Sequence, residues 1–386
     1  MTEIYLDNNA TTRISPEVLD AMLPYLTDLY GNPSSMHTFG GQIHWKIEVA
    51  RAQVAALINA DPDEIIFTSC GTESDNTALI CAAESYPHKK HIITTRVEHP
   101  AVLNFCRHLA RKGYRVTFLT VNHEGKLDTD LLIKEISEDT AVVSIMHANN
   151  ETGVIFPVLE IAETVRQRGA IFHTDAVQTV GKIPIDVKKL PVDMLSLSGH
   201  KLHAPKGVGA LYVRRGTRFK PYIIGGHQEH GRRAGTENIA SIIGLGRACE
   251  LAGGNLDEEA TYLKGLRDRL ENTLLERCPD AMVNGDTVNR LPNTSNISFE
   301  YIEGEAILLR LNEYNICASS GSACTSGSLE PSHVLRAMGI PFSAVHGSVR
   351  FSLSRYSTDK DIDAVINVMP GIIQDLRRLS PFGREK

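Results

Sequence analysis

From about residue 60 to 215 the chain alternates short apolar β-type runs with amphipathic stretches, and no other feature restricts its fold so strongly. Ile65-Ile66-Phe67-Thr68 reads as a strand and 72–86 as a helix. His91-Ile92-Ile93-Thr94 is a second strand, followed by a helix over 100–112 that Gly113 ends. Pro in the first turn and Gly after the last are the expected helix punctuation. The cycle continues with a strand over 141–146 and a helix over 157–168, whose core stripe is Val158, Ile161, Ala162 and Val165. Strands follow at 170–172 and 194–197. Gly209-Ala210-Leu211-Tyr212-Val213 comes too soon for a helical crossover, which leaves an antiparallel placement open to it. Such alternation implies an α/β domain with a mostly parallel, mixed sheet. After Gly253-Gly254-Asn255 a long charged helix begins, and beyond it the order becomes mixed, with strands near 295–299 and 349–353. At 386 residues two domains are expected. These are a large α/β domain over 15–255 and a smaller α+β domain made of 1–14 and 256–386.

Composition excludes several classes of function. Lys plus Arg total 40 against 46 Asp plus Glu, so there is no basic excess to favour nucleic acid and no basic run to suggest a membrane surface. The opening Met1-Thr2-Glu3-Ile4 lacks the basic and apolar regions of a secretory signal, and no apolar run approaches bilayer length. A cytoplasmic protein is expected. The seven cysteines are odd in number and contain no Cys-x-x-Cys, which argues against a disulfide scaffold or a four-cysteine zinc site. Cys106 falls on the helical stripe Val102, Phe105, Cys106, Leu109, and Cys278 extends Leu263, Leu266, Leu270, Leu274, so both read as core.

Ligands of open α/β sheets bind outside the carboxyl ends of the strands. Here each strand end carries polar residues: Cys70-Gly71-Thr72-Glu73-Ser74, Glu98-His99, His147-Ala148-Asn149-Asn150-Glu151, Thr174-Asp175-Ala176-Val177-Gln178, and Ser198-Gly199-His200-Lys201. One such end would be an ordinary cap or turn. Five in succession point to one site. Gly71-Thr72 opening a helix is either a plain N-cap or a phosphate cradle, since free N–H groups and the helix dipole favour an anion there. Asp175 is a structural cap or the partner of a protonated ring nitrogen, and His99, seen alone, is more often structural. Lys201 is poorly explained as a solvated charge, and a lysine desolvated among cations suits Schiff-base chemistry. The order of these groups calls for a cofactor with a phosphate, an aromatic ring and an aldehyde, which is pyridoxal 5′-phosphate (PLP).

The chain resembles the cysteine desulfurases of the class-V aminotransferase family, which have the fold-type I PLP-dependent transferase architecture. The resemblance runs from Tyr5-Leu6-Asp7-Asn8-Asn9-Ala10-Thr11-Thr12 and Gly31-Asn32-Pro33-Ser34-Ser35 through the strand-end motifs to Ser319-Ser320-Gly321-Ser322-Ala323-Cys324-Thr325-Ser326-Gly327. Gly231-Arg232-Arg233-Ala234-Gly235-Thr236-Glu237-Asn238 and Phe299-Glu300-Tyr301-Ile302-Glu303 resemble the nitrogen-fixation (NifS-type) branch more than the housekeeping form.

The resemblance implies a division of labour. Lys201 holds PLP as a Schiff base and then acts as base at the substrate Cα. Asp175 pairs with the pyridinium nitrogen, Gln178 hydrogen-bonds the phenolic oxygen, Asn150 lies close to the ring, and His99 stacks on it and transfers protons. Gly71, Thr72, Ser198 and His200 bind the phosphate, and Thr236 reaches the phosphate of a neighbouring subunit, which implies a homodimer. Arg350 clamps the carboxylate of L-cysteine, with Arg355 as the alternative. Cys324, in a Ser- and Gly-rich stretch, takes the sulfur as a persulfide, leaving L-alanine; an iron–sulfur scaffold protein is the implied acceptor. No permanent metal is expected, with Cys324 a candidate transient iron–sulfur ligand. The rival readings are a selenocysteine lyase, an ordinary aminotransferase, and a catalytically silent iron–sulfur scaffold.

Overall fold

The chain was analysed as a computed structural model that describes residues 3–320 and 330–381. Among the described residues twelve strands are formed. In chain order they are β1 (Ile4–Tyr5), β2 (Ile65–Thr68), β3 (His91–Thr95), β4 (Arg115–Leu119), β5 (Thr140–Ser144), β6 (Ile171–Asp175), β7 (Met194–Ser198), β8 (Gly209–Val213), β9 (Ala281–Val283), β10 (Thr294–Phe299), β11 (Ile316–Cys317) and β12 (Ser348–Ser352).

Seven of these make the principal sheet, in the order β2-β8-β7-β6-β5-β3-β4. All pairings from β7 across to β4 are parallel, and β8 alone runs against its two neighbours. β8 follows β7 after a short turn, and a short connection can only join antiparallel strands, so the antiparallel option is the one adopted. The inner strands are buried at every position, as expected when helices cover both faces. Successive side chains enter opposite cores: Ile93, Val143, Phe172 and Tyr212 face one, and Ile92, Val142, Ile171 and Leu211 face the other. The first core is closed by helices Thr38–Leu57, Val158–Gln167 and Ile239–Gly254, the second by Gly71–Ser85 and Pro100–Arg111. The stripe Val158, Ile161, Ala162, Val165 is buried as predicted, and so is Cys106.

A third core lies around the antiparallel sheet β12-β10-β9 and the helices Leu256–Arg277 and Asp359–Leu379. Cys278 is buried there, although it ends its helix rather than extending it. Val334, Leu335, Met338, Ala344 and Val345 pack instead in the first core, so this late stretch of chain reaches back onto the principal sheet. The N-terminal segment stitches the two regions together. β1 pairs with β11, the Asn8 N–H donates to Ser352 at 3.1 Å, and the Thr12 and Ser15 N–H groups donate to the carbonyls of His200 and His203 at 2.9 and 3.0 Å.

The strand expected at 170–172 extends to Asp175, so this carboxylate sits inside the sheet's end rather than beyond it. Among the described residues no helix is long and apolar enough to cross a membrane, and the six described cysteines are free thiols.

Candidate active site

The carboxyl ends of β2, β3, β5, β6 and β7 open on one cavity of about 390 Å³. Gly71, Thr72, His99, Asn150, Asp175, Gln178, Ser198, His200, Lys201 and Arg350 all line it. Ten residues predicted from separate motifs therefore converge. One does not join them. Thr236 is exposed on a loop and does not line this cavity, and Cys324 lies outside the described residues.

One end of the cavity is built for an anion. The helix Gly71–Ser85 begins there, and its N-cap, Cys70, gives the first turn no side-chain bond, so the positive end of the helix dipole faces the space. Backbone approaches closely because position 71 is glycine: a Cβ there would meet Val177 Cγ2 at 2.8 Å and Ser198 Cβ at 3.4 Å. The Ser198 hydroxyl, at the tip of β7, is buried with no hydrogen-bond partner. A buried orphan hydroxyl costs stability unless something answers it, and a phosphate oxygen is a suitable partner. His200 approaches Thr11 Oγ1 at 3.2 Å. Burial first, then the charge of Lys201, pushes its pKa down to about 4, leaving a neutral imidazole.

The cavity also carries an acid. Asp175 Oδ1 accepts the Val177 N–H at 2.9 Å, and burial raises its carboxyl to about 6, partly offset by that bond and by Lys201. A cation next to it would return it to the anionic form. Asp75, also on the wall, is driven well above the usual range by burial and by the Asp175 charge. Lys201 Nζ donates to the carbonyl oxygens of Asn9 at 2.5 Å and Ala10 at 2.7 Å. His99 begins the helix Pro100–Arg111 and accepts the Ala101 N–H on Nδ1 at 3.2 Å. Its pKa falls to about 4 through burial and the charges of Lys201 and His333.

Arg350 comes from β12, the neighbouring sheet. Its Nη2 pairs with Asp7 at 2.7 Å and its Nη1 donates to the Asn150 carbonyl at 3.0 Å, while the buried Nε has no partner. Arg355 is occupied elsewhere, with Glu259 at 2.8 Å, and does not line the cavity. Two further residues matter that sequence reasoning missed. Asn9 receives Lys201 and also Gln178 on its carbonyl, and Lys182 binds Gln178 from behind. Asn9 lay within a recognised motif without a role attached to it; Lys182 gave no signal beyond its spacing of four from Gln178.

A phosphate cradle, an acid for a ring nitrogen, and a lysine within one enclosed space fit PLP in size and chemistry. The family model for class-V aminotransferases matches residues 4–365. The "Cysteine desulfurase" of Trichormus azollae is 63% identical over 386 residues, covering 100% of this chain and 96% of that one. "Cysteine desulfurase NifS" of Azotobacter vinelandii is 59% identical over 383 residues, 99% and 95% of the two chains. Among solved structures a "NifS-like protein" superposes with a TM-score of 0.92 at 40% identity, covering 97% of this chain and 100% of that one. These matches agree with the cavity: the chain belongs to the class-V aminotransferases, within the cysteine desulfurase family, whose cofactor is pyridoxal 5′-phosphate.

Proposed function

We propose that the chain removes sulfur from L-cysteine, releasing L-alanine and carrying the sulfur as a persulfide on Cys324. The observation that bears most weight is the single cavity in which Lys201, Asp175 and the orphan hydroxyl of Ser198 meet Arg350. PLP, when bound, supplies an aldehyde carbon for the substrate amine and an electron-poor ring that stabilises negative charge on the adjacent carbon.

The protein's own residues do the remainder. Gly71, Thr72, Ser198 and His200 hold the phosphate, and Thr236 from a second copy of the chain reaches it as well. Asp175 keeps the ring nitrogen protonated, Gln178 donates to the phenolic oxygen, Asn150 borders the ring, and His99 covers its face. Arg350 orients the substrate carboxylate, with its unpartnered Nε available for one of the two bonds. Lys201 moves the proton at Cα. The Cys324 thiolate then attacks the substrate sulfur: a sulfur–sulfur bond forms, the carbon–sulfur bond breaks, and its electron pair stays with carbon and is protonated. In balance, L-cysteine and the Cys324 thiol become L-alanine and the Cys324 persulfide.

The second copy has a place to sit. Leu26, Tyr30, Met36 and Trp45 are 60%, 71%, 104% and 68% exposed on the face made by the segments before and within helix Thr38–Leu57. Exposed apolar area of this kind suits a homodimer. By the resemblance to NifS, the sulfur goes to an iron–sulfur scaffold protein in the cytoplasm, for nitrogenase maturation; the large domain spans 15–255 and the small one 1–14 and 256–386.

The test is to incubate the PLP-loaded enzyme with L-cysteine and measure alanine and protein-bound persulfide, wild type against Cys324→Ala. Losing a positioned nucleophile should cost on the order of a hundredfold or more in rate. Wild-type rates of both products in the variant would refute the role of Cys324.

A further inference from the structure

The turn after β6 carries a second lysine toward the active site. The chain bends back through Ala176–Ile183, with the Val180 N–H on the Ala176 carbonyl at 3.0 Å and the Lys182 N–H on Thr179 at 3.0 Å. Gly181 takes a left-handed φ of 73°, and a Cβ there would collide with Leu202. This bend places Lys182 beneath Gln178, four residues before it. Lys182 Nζ donates to Gln178 Oε1 at 2.8 Å and to Asn9 Oδ1 at 3.3 Å. On its other side, Gln178 Nε2 donates to the Asn9 carbonyl at 3.0 Å.

These contacts determine which way the carboxamide points. A lysine head only donates and a backbone carbonyl only accepts. Turning the amide over would set its NH₂ against the ammonium and its oxygen against the carbonyl, losing two bonds and creating two repulsions. With the oxygen tied down by Lys182, Nε2 keeps a second N–H for the cavity that Gln178 lines.

We propose that Lys182 is a positioning residue: through Gln178 Oε1 it holds the carboxamide with Nε2 toward the phenolic oxygen of the cofactor ring. The proposal rests on the reading that Gln178 addresses that oxygen. Around Lys182 stand Lys201, Arg350 and Glu259, with His200, His203 and Arg355 close by. Burial first, then the charges of Lys201 and Arg350, lowers its pKa to about 7, with Glu259 opposing. The group thus passes between ammonium and amine near neutral pH, and both forms carry an N–H for Gln178 Oε1. The amine form can also accept a bond, but the Asn9 carbonyl only accepts and keeps Nε2 on its own side in both forms, so the orientation persists.

The experiment is a pH titration of the visible cofactor band in PLP-loaded enzyme without substrate. Four proteins are compared: wild type, Gln178→Leu, Lys182→Met and the double variant. The expected result is that both single variants move the titration midpoint in the same direction, and the double moves it no further than Gln178→Leu alone. A shift with Gln178→Leu but none with Lys182→Met overturns the proposal and leaves the reading of Gln178 standing. Additive shifts in the double variant also overturn it, because Lys182 would then act independently of Gln178. No shift with Gln178→Leu removes the reading of Gln178, and the proposal with it. Lys182→Gln, which removes the ammonium and shortens the reach, carries the same expectations should the methionine variant not fold.

Discussion

Asp175 is held under two opposed demands. The protein interior favours its neutral form, and burial lifts its carboxyl to about 6; the proposed pairing with a protonated ring nitrogen requires the anion. Without cofactor, the folded state binds a proton more tightly than the unfolded chain, whose carboxyl titrates near 4. Between those values the native state holds more protons, so this group's contribution to stability falls as pH rises and stays low above pH 6. An amide has no such loss. We expect the Asp175→Asn apoprotein to melt no lower than wild type at pH 7.5, measured by thermal unfolding. The same substitution in the PLP-loaded enzyme should lower alanine production on the order of 10²–10³-fold, as when a preorganised electrostatic partner is removed. A less stable apoprotein, or a variant of near-normal rate, would contradict this account. Function here is maintained against local stability.

At the scale of strands and helices, the tip of β7 separates cofactor binding from folding. Ser198 Oγ has no partner within the described protein, so Ser198→Ala should leave the melting temperature of the apoprotein unchanged or slightly raised. PLP affinity should fall about tenfold, the value of one hydrogen bond to a charged group. Cofactor titration followed by fluorescence measures it, and unchanged affinity would remove Ser198 from the phosphate site. The strands of this sheet were legible because runs such as Ile65–Thr68 and Met194–Ser198 are short, apolar and followed at once by polar turns. β4 was missed although Arg115-Val116-Thr117-Phe118 alternates polar and apolar residues, as a part-covered edge strand does. The helices Thr38–Leu57 and Ile239–Gly254 were missed for another reason. They pack against each other; Ile239–Gly254 is covered on several sides, so Gly244, Gly246 and Ala248 leave it no single polar face, while Thr38–Leu57 buries one stripe but carries apolar Trp45 and Val49 on its exposed side, which blurs the period. The cavity residues at strand tips were readable from local motifs. Asn9 and Lys182 were not, because what gives them meaning is each other across 173 residues of chain.

At the scale of the whole molecule, the proposed second copy turns on one surface residue. Thr236 is exposed and away from its own chain's cavity, while Arg233 in the same loop is pinned to Glu73 at 2.9 Å, beside the phosphate end. Mixing Lys201→Ala with Thr236→Ala subunits should yield dimers with one intact site, and so more alanine production than either parent. No recovery in a verified mixed dimer would argue against shared sites. The lacing of the N-terminal segment has a consequence for how the protein is made. Asp7 leaves the ribosome 343 positions before Arg350, which it grips. The Arg350 side of the cavity is therefore closed by one of the longest-range contacts in the fold, with loop-closure entropy to overcome. A nascent chain can pair the strands of the principal sheet before Arg350 has emerged, yet it lacks this wall of the cavity until then. The cavity is thus finished last, by the part of the chain made furthest from where it began.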